Sequence, residues 1–438
     1  MQFHLLSFEG PDAYSRAGGL ATRIVGLADT LAERGFETHL WFIGDPDLPG
    51  TEIHGSLHLH RWCQWVSRHH ADGVYDGETG KVAEYNASLP PYLMADVLRP
   101  HLELGGRAVV LAEEWQTADS VLHLHRLLRY AGLRNQVSML WNANNTFGFE
   151  QIPWGRLAEA STITTVSRYM KHRMRACGAD ALVIPNGLTA DCFDAPERNP
   201  VAELRRRFRG RTFLTKMARW DPDKRWIETI DTVAEMKRQG WSPLLVARGG
   251  SEAHGYEVLQ RAHAAGLEIV DRAATRPGAA GLAEALRDTN GADVVNLRSY
   301  VDPDARRALF RSVDAVLANS GHEPFGLVGL EAMAVGGIAC TGCSGEDYAQ
   351  PGQNAIVLET GDPREFISLF RQLRAEPERA KGLRRAGQST ARRYAWGEIV
   401  DRVLLPRTEM HHRAEVVPPP LAALLPPPRS RRHLRKVG

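Results

Sequence analysis

Two glutamates, Glu323 and Glu331, stand eight positions apart on either side of a Pro-Phe-Gly turn. The apolar run behind this turn predicts a helix over residues 323–335, with Pro324 at the first position, where a missing N–H costs nothing. A pair of glycines after the run stops the helix. The unbonded N–H groups of its first turn, near residues 325–328, would form an anion site between the two carboxylates.

Two cations, Arg219 and Lys224, stand five positions apart around a Pro turn, directly after a predicted strand at residues 212–218. Such a pair can hold both phosphates of a nucleoside diphosphate, since Arg offers a planar fork and Lys a point charge. They would stabilise the negative charge that builds on a departing diphosphate. Surface charges on a loop are the plainer alternative for either cation alone. Together with Glu323 and Glu331, the pair suits a ligand with hydroxyls at both ends and phosphate in the middle, such as a nucleotide sugar.

Two glycine pairs follow predicted strands. Gly18-Gly19 ends the loop after the first strand and begins a helix, where backbone can approach a ligand and the helix N-terminus favours phosphate. Gly249-Gly250 follows a strand at residues 243–248, a position that favours contact with the nucleotide. Gly18-Gly19 would equally serve as a simple turn.

Three polar side chains follow strands of the first half of the chain. Glu113 ends a strand at residues 109–112, where it would bind hydroxyls, act as a base if its pKa were raised, or bind a cationic acceptor. A solvated glutamate is the alternative. Asn144 lies in an amide-rich segment. Its uncharged amides would form hydrogen bonds with hydroxyl groups of a ligand, or they only shape a turn. Asn186 lies in a Pro-Asn-Gly turn, with the same two interpretations.

The composition gives 54 basic and 52 acidic residues and a net charge of +2, so no bulk attraction to nucleic acid or a membrane is implied. Five cysteines predict no disulfide framework and a reducing cytoplasm. We expect no signal peptide and no membrane span. None of the 17 histidines is paired in sequence with a second ligand cluster at a metal spacing, and Asp302-Pro303-Asp304 resembles a helix cap, so no metal ion is expected.

Strands alternate with helices twice along the chain, which predicts an α/β protein with two Rossmann-like domains and a ligand between the carboxyl ends of their strands. The predicted acceptor-side domain covers residues 1–195, and the nucleotide-sugar-binding domain covers residues 196–392. A helix at residues 393–412 follows. Residues 413–438 are rich in Pro and Arg and are expected to be disordered.

These motifs together resemble the retaining glycosyltransferases of family four, the glycogen-synthase-like group with the GT-B fold, over roughly residues 1–400. The resemblance implies two domains facing each other across a cleft, with the helix at 393–412 crossing back to the first. It also implies transfer, with retention, of a sugar from a nucleotide-diphosphate sugar to an acceptor hydroxyl on a sugar, polysaccharide or small molecule, without a metal or other cofactor. Two positions depart from the family pattern: Ala218 replaces a glycine and Glu113 replaces a histidine.

The resemblance assigns a role to each candidate residue. The implied catalytic residues are Arg219, Lys224 and Glu323. The implied donor-binding residues are Gly18, Gly19, Gly249, Phe325, Gly326, Leu327 and Glu331. The implied acceptor or sugar contacts are Glu113, Asn144 and Asn186.

Two alternatives remain open. An epimerase or phosphorylase of the same fold is one, although these residues lack a context for the pyridoxal lysine of a phosphorylase. A non-catalytic protein that binds a sugar or polymer with a degenerate GT-B fold is the other, and the altered residue Glu113 gives it some weight. Donor turnover would distinguish an enzyme from such a protein.

Overall fold

The computed structural model describes residues 1–289 and 291–408 of the chain. Within these residues the strands form two sheets. The strands of the first sheet are β1 Gln2–Leu6, β2 Glu37–Ile43, β3 Thr51–His54, β4 Leu57–Trp62, β5 Ala108–Glu113, β6 Val137–Ala143, β7 Thr162–Thr165 and β8 Leu182–Val183. Those of the second are β9 Thr212–Met217, β10 Pro243–Arg248, β11 Ile269–Arg272, β12 Val294–Leu297, β13 Ala315–Ala318, β14 Ala339–Thr341 and β15 Ile356–Val357.

The two sheets share one winding order. The first runs β3-β4-β2-β1-β5-β6-β7-β8 and the second runs β11-β12-β10-β9-β13-β14-β15. All pairs are parallel except β3 with β4 at one edge. The central strands are apolar and buried, as expected for strands covered by helices on both faces. This confirms the predicted α/β architecture with two Rossmann-like sheets.

Helices connect the strands. In the first half they are α1 Gly19–Glu33, α2 Gln64–Ser67, α3 Glu78–Tyr92, α4 Arg99–Glu103, α5 Ala118–Tyr130, α6 Trp154–Ala160 and α7 Arg168–Arg175. In the second half they are α8 Arg198–Arg207, α9 Trp226–Arg238, α10 His254–Ala264, α11 Gly278–Ala285, α12 Pro303–Ser312, α13 Leu327–Ala334, α14 Pro363–Ala375, α15 Pro377–Arg393 and α16 Trp396–Ile399. A π-helical turn, Val400–Leu404, continues α16. None of the helices in the described residues has the length and apolar character needed to span a bilayer.

The chain returns to the first domain at its end, as predicted. Trp396 and Ile399 of α16 are buried in one apolar cluster with Phe3 of β1 and Leu27 of α1. The return is fixed by the backbone, because the Trp396 amide donates to the Leu188 carbonyl at 2.9 Å. The predicted tail at residues 413–438 and the end of the predicted helix beyond residue 408 lie outside the described residues, and the predicted domain boundaries stay predictions.

Glycine makes room for this return. A Cβ atom on Gly26 of α1 would come within 2.4 Å of Trp396 Nε1, and one on Gly187 would come within 2.4 Å of Trp396 Cδ2. The indole therefore lies between two backbone segments of the first domain that cannot carry side chains at those points. This close packing ties the end of the chain to α1 and to the segment that follows β8.

Candidate active site

Lys224 and Glu323 are in direct contact, although 99 positions separate them in the chain. Lys224 ends a short 3-10 turn, Pro222–Lys224, after β9, and Glu323 lies in the loop after β13. Lys224 Nζ donates to Glu323 Oε2 at 2.6 Å, and Ser320 Oγ donates to the same oxygen at 2.9 Å. The two charged side chains are 20% and 19% exposed, so this ion pair is open to a ligand on one side.

The helix behind Glu323 begins later than the sequence predicts. Helix α13 starts at Leu327, and Gly326 before it takes a left-handed conformation with φ +78°. The prediction that Pro324 occupies the first helical position is therefore wrong. The reason is that Phe325 is buried, with its ring centroid 5.9 Å from that of Tyr348 and 6.0 Å from that of Tyr394. With Phe325 packed in this position, the residues before Leu327 do not follow the helical path.

The first turn of α13 consequently presents different amides from those expected. The free N–H groups belong to Leu327 and the two residues after it, while Phe325 and Gly326 lie in the approach to the helix. The carbonyl of Gly326 accepts from the Tyr348 hydroxyl at 2.5 Å. The glycine stop after the helix is as predicted, since the Gly337 amide bonds to the Ala332 carbonyl at 2.8 Å.

A second carboxyl group lies beside Glu323. Glu346, in the loop after β14, is buried and accepts from the Gly342 amide and the Ser344 amide, both at 3.2 Å. Burial and the charge of Glu323 raise the pKa of Glu346 to about 7. The sequence showed this residue only as part of a glycine-rich loop, and no pattern in it marks a buried carboxyl group.

Glu331 lies farther along α13, next to an arginine. Its Oε1 is 3.4 Å from a guanidinium nitrogen of Arg306 in α12, and burial raises its pKa. The adjacent Arg307 lies 3.7 Å from Asp191 of the segment that follows β8. The end of the site that carries Glu331 is therefore bordered by charged groups from both halves of the chain.

The two predicted cations differ in their surroundings. Arg219 is exposed, and its side chain forms no hydrogen bond or ion pair with residues 1–289 or 291–408. A third cation, Lys216, is fully buried, and its Nζ donates to Asn319 Oδ1 at 3.0 Å and to the Asn319 carbonyl at 2.9 Å. Burial lowers the pKa of Lys216 to about 7. Lys216 therefore supports the loop that leads to Glu323, a role that its sequence position did not reveal.

The glycine at the end of β10 has a packing reason. A Cβ atom on Gly249 would come within 1.9 Å of the Trp220 ring. Trp220 directly follows Arg219, so the close packing of Gly249 on the indole positions the cation-bearing loop. The predicted contact between Gly249 and a donor stays a prediction.

The Gly18-Gly19 loop already binds an anion from within the chain. Glu9 Oε2 accepts from the Ala17, Gly18 and Ala21 amides at 3.3, 3.0 and 3.1 Å. Glu9 Oε1 accepts from the Tyr75 hydroxyl at 2.6 Å. The carboxylate of Glu9 therefore takes the place at the start of α1 where the sequence allowed a phosphate.

Glu113, Asn144 and Asn186 belong to one buried network around Arg23. Arg23 Nε donates to the two Glu113 oxygens at 3.0 and 3.2 Å, and its Nη1 donates to Asn186 Oδ1 at 2.8 Å. The side-chain amides of Asn142 and Asn144 donate to Glu113 Oε2 at 2.8 and 2.7 Å. Both Arg23 and Glu113 have fully buried side chains, so Glu113 is neither solvated nor at the surface of the cleft.

The neighbouring Glu114 is a different kind of carboxyl group. It takes a left-handed conformation with φ +67° and is buried, and burial raises its pKa to about 8. Its Oε1 accepts from the Asn144 amide at 2.6 Å. The sequence analysis assigns no role to Glu114, because a β-strand end gives no sign of which of two adjacent glutamates turns toward a counter-ion.

The two domains touch beside the Glu323 loop. The backbone amide of Arg168, at the start of α7, donates to Asp347 Oδ2 at 2.8 Å, and its Nε donates to Oδ1 at 3.2 Å. The rings of Tyr169 and His322 lie with centroids 6.4 Å apart. The carboxyl ends of the two sheets therefore face each other, with Glu323 close to the line of contact.

Three histidines of the first sheet have the spacing of a metal site. The candidate ligand atoms of His39, His58 and His60 lie within 4.8 Å of one another. Sequence spacing could not reveal this cluster, because His39 lies on β2 and its partners lie on β4; the expectation that no metal ion binds stays a prediction. However, His39 Nδ1 and His60 Nε2 are 3.0 Å apart in rings only 12° from parallel, which fits an N–H···N hydrogen bond. Burial lowers the pKa of His39 to about 4 and that of His60 to about 3, so both are neutral.

The pattern of the family described as Glycosyl transferases group 1 matches residues 208–390, which hold Arg219, Lys224, Glu323 and Glu331. This match supports the glycosyltransferase resemblance found in the sequence, and the matched residues include the ion pair, the start of α13 and the Glu346 loop.

The chain is similar to two proteins that are named as glycosyltransferases. The chain is 26% identical to a D-inositol 3-phosphate glycosyltransferase of Thermomonospora curvata over 126 residues, which are 28% of this chain and 29% of that protein. It is 28% identical to a phosphatidyl-myo-inositol mannosyltransferase of Mycobacterium leprae over 264 residues, 58% of this chain and 59% of that protein. The matched segments thus cover less than two thirds of either relative.

The fold is shared more widely than the sequence. A sucrose-phosphate synthase from Thermosynechococcus elongatus superposes with a TM-score of 0.63 at 16% identity, covering 94% of this chain and 99% of that one. This likeness extends across both halves of the molecule. It confirms the GT-B fold, in which the group 1 domain faces a second Rossmann-like domain.

Proposed function

We propose that the protein is a retaining glycosyltransferase that moves a sugar from a nucleotide-diphosphate sugar to an acceptor hydroxyl. The observation that carries this proposal is the Lys224–Glu323 ion pair, which lies before the first turn of α13 in a group 1 domain. A cation, a carboxylate and a row of free amides are the groups that a diphosphate bearing a sugar requires.

In this proposal the ion pair opens when the donor binds. Lys224 exchanges Glu323 for the diphosphate, and Glu323 then accepts hydrogen bonds from sugar hydroxyls. Arg219, which has no side-chain partner among the described residues, turns to the same diphosphate. The first-turn amides of α13 bind phosphate or sugar oxygens, and Glu331 exchanges Arg306 for the ribose hydroxyls.

The transfer then needs no protein nucleophile. The bond between the anomeric carbon and the phosphate oxygen breaks, and the acceptor oxygen bonds to the same face of that carbon. The acceptor proton passes to the departing phosphate oxygen. Lys224 and Arg219 stabilise the charge of the leaving diphosphate, and we propose that they do so without a metal ion.

The acceptor is proposed to bind on the first domain, near Glu9. A cavity of about 330 Å³ lies beside the Gly18 loop and is lined by Tyr14, Arg16, Asp72 and Tyr75, among others. The Glu9 carboxylate occupies the amides at the start of α1 and so disfavours a phosphate at that position. A polyhydroxylated acceptor fits this surface, and the cation of Arg16 leaves room for one anionic substituent.

The test is a turnover assay with a matched lysine control. UDP-, GDP- and ADP-sugars are incubated with the protein and a panel of polyols in EDTA, and nucleoside diphosphate release is measured by chromatography. Lys224→Ala should abolish release, whereas Lys237→Ala, which removes a half-exposed lysine that pairs with Asp293 in the same domain, should not. Proton NMR of the product should show the anomeric configuration of the donor.

The competing interpretation is a non-catalytic protein that binds sugars or polymers. Release of no nucleoside diphosphate from any donor, with or without added Mg²⁺, would favour it. Release that depends on Mg²⁺ would support the transferase activity but contradict the proposal that Lys224 and Arg219 act without a metal ion. An inverted anomeric configuration would exclude the same-face reaction.

A further inference from the structure

A cavity among the described residues lies at the edge of the second sheet opposite the candidate active site. Its volume is about 460 Å³. Its walls come from the residues that precede β9 and β13, so it faces the amino ends of strands whose carboxyl ends face the cleft. Six arginines line it: Arg205, Arg209, Arg211, Arg311, Arg374 and Arg384. We refer to this cavity as the arginine pocket.

The positive charge of the arginine pocket is largely uncompensated. Within residues 1–289 and 291–408, five of the six guanidiniums form no ion pair, namely those of Arg205, Arg209, Arg311, Arg374 and Arg384. The acid in the lining, Asp314, directs Oδ2 to the Phe213 amide at 2.9 Å. Burial, together with the charges of Arg205 and Arg311, lowers the pKa of Arg384 to about 10. Like charges therefore converge on one cavity and repel one another.

Part of this arrangement supports the fold. Arg311 Nη1 and Arg384 Nη1 donate to the Gly336 carbonyl at 2.9 and 3.0 Å, at the C-terminal end of α13, and Arg205 Nη2 donates to the Arg311 carbonyl at 2.6 Å. A helix end carries only about half an elementary charge, and one such contact uses one of the five N–H donors of a guanidinium. Capping α13 therefore accounts for neither the number of arginines nor their remaining donors.

We propose that the arginine pocket binds a small ligand that carries two or more phosphate groups, at a site separate from the candidate donor site. Guanidinium groups bind phosphate oxygens in a bidentate manner. The volume lies within the roughly 300–1,000 Å³ of small-molecule sites, so the cavity suits a compact polyphosphate rather than an extended polymer. The net charge of the whole chain is only +2, which makes this concentration of positive charge local.

The arginine pocket is linked to the candidate active site by α13. Arg311 and Arg384 hold the end of this helix, and the start of the helix lies beside Glu323. Eight residues at 1.5 Å each separate the two ends by about 12 Å. A ligand that draws the two guanidiniums toward itself acts on the helix whose first-turn amides face the candidate donor site.

Direct binding tests the proposal without relying on turnover. Inorganic pyrophosphate and tripolyphosphate are titrated calorimetrically into the wild type, Arg205→Ala/Arg384→Ala and Arg206→Ala/Arg385→Ala. The control arginines are exposed, lie next to the tested ones on α8 and α15, and are absent from the cavity lining. Loss of two charge-assisted contacts should weaken binding by at least about tenfold in the first double variant, while the control stays within about twofold.

Two further variants separate the possible failures. Lys224→Ala removes the proposed donor clamp, and the arginine pocket should still bind tripolyphosphate in it. Should Arg205→Ala/Arg384→Ala not fold, Arg209→Ala/Arg374→Ala serves instead. Arg374 donates to Thr212 Oγ1 at 3.0 Å and lies 5.2 Å from the Trp241 ring centroid, and the Arg209 side chain forms no hydrogen bond or ion pair with the described residues. Equal weakening in the test and control pairs, loss of all binding in Lys224→Ala, or no binding to the wild type at millimolar ligand would each overturn the proposal.

Discussion

Glu113 and Glu114 are adjacent glutamates for which the structure predicts opposite effects of the same substitution. Glu113 faces Arg23 with both side chains fully buried. Glu114 forms no ion pair with residues 1–289 or 291–408, and burial raises its pKa to about 8, so it is mostly protonated at pH 7. Glu113→Gln should therefore remove a charge that the fold requires, whereas Glu114→Gln should replace one neutral group with another of the same shape.

The size of the first effect follows from the contacts of Glu113. Its two oxygens accept from Arg23 and from the Asn142 and Asn144 amides. A glutamine there would direct N–H groups at one or more of these donors and leave the Arg23 guanidinium without an anion. Breaking a buried ion pair on one side costs about 3–5 kcal/mol of unfolding free energy. At about 2–4 °C per kcal/mol for domains of this size, the melting temperature should fall by roughly 10 °C.

Urea denaturation and thermal melting of the two variants at pH 7 measure the difference. Glu114→Gln should change the unfolding free energy by less than about 1 kcal/mol, because the amide oxygen can still accept from the Asn144 backbone. A Glu113→Gln variant as stable as Glu114→Gln would show that Glu113 is solvated in the folded protein. The buried network would then be refuted, and the interpretation of Glu113 as a ligand contact would regain its basis.

Three other substitutions test neighbouring parts of the structure. Gly326→Ala should lower the melting temperature by several degrees, since φ is +78° and the new Cβ would lie 2.9 Å from Glu346 Cγ; a strain of about 1–3 kcal/mol is expected, and unchanged stability would contradict the left-handed turn. Trp396→Ala should cost about 3–5 kcal/mol by emptying the contact between α16 and α1, and a loss below 1 kcal/mol would argue against the crossover packing. The pKa of Glu346 is raised to about 7, so the native state holds its proton between about pH 4.5 and 7 and stability falls as pH rises through that range. In urea titrations at several pH values, Glu346→Gln should reduce this decrease in unfolding free energy by up to about 3 kcal/mol. An identical pH profile in both proteins would show that Glu346 does not have a raised pKa.

The architecture could be predicted from the sequence because alternating apolar strands and amphipathic helices set a local period. The helix expected to begin at Gly18-Gly19 is α1, which spans Gly19–Glu33. The hairpin of β3 and β4 and the long helix α3 were not predicted. Their apolar residues are fewer, and α3 contains Pro90 and Pro91 near its end, which normally indicate a helix boundary.

Each half of the site could be predicted, because a local motif marks Lys224 and another marks Glu323. The direct contact between them, at 2.6 Å, could be seen only in the structure. Contacts between distant segments were not predictable, because nothing in the sequence shows that Glu9 closes the Gly18 loop or that Arg23 reaches Glu113. A pattern reveals the type of a residue, whereas burial and counter-ions depend on the packing of separate strands.

The central claim is that Lys224 and Glu323 form part of a donor site for a nucleoside diphosphate. The most direct test is calorimetric titration of UDP, GDP and ADP, in EDTA, into the wild type, Lys224→Ala and Lys237→Ala. A parallel titration of Arg205→Ala/Arg384→Ala shows whether any of this binding occurs in the arginine pocket. One nucleotide should bind to the wild type, to Lys237→Ala and to the arginine double variant, and Lys224→Ala should weaken this binding by at least about tenfold. Equal affinity in Lys224→Ala, or no nucleotide binding to the wild type, would contradict it.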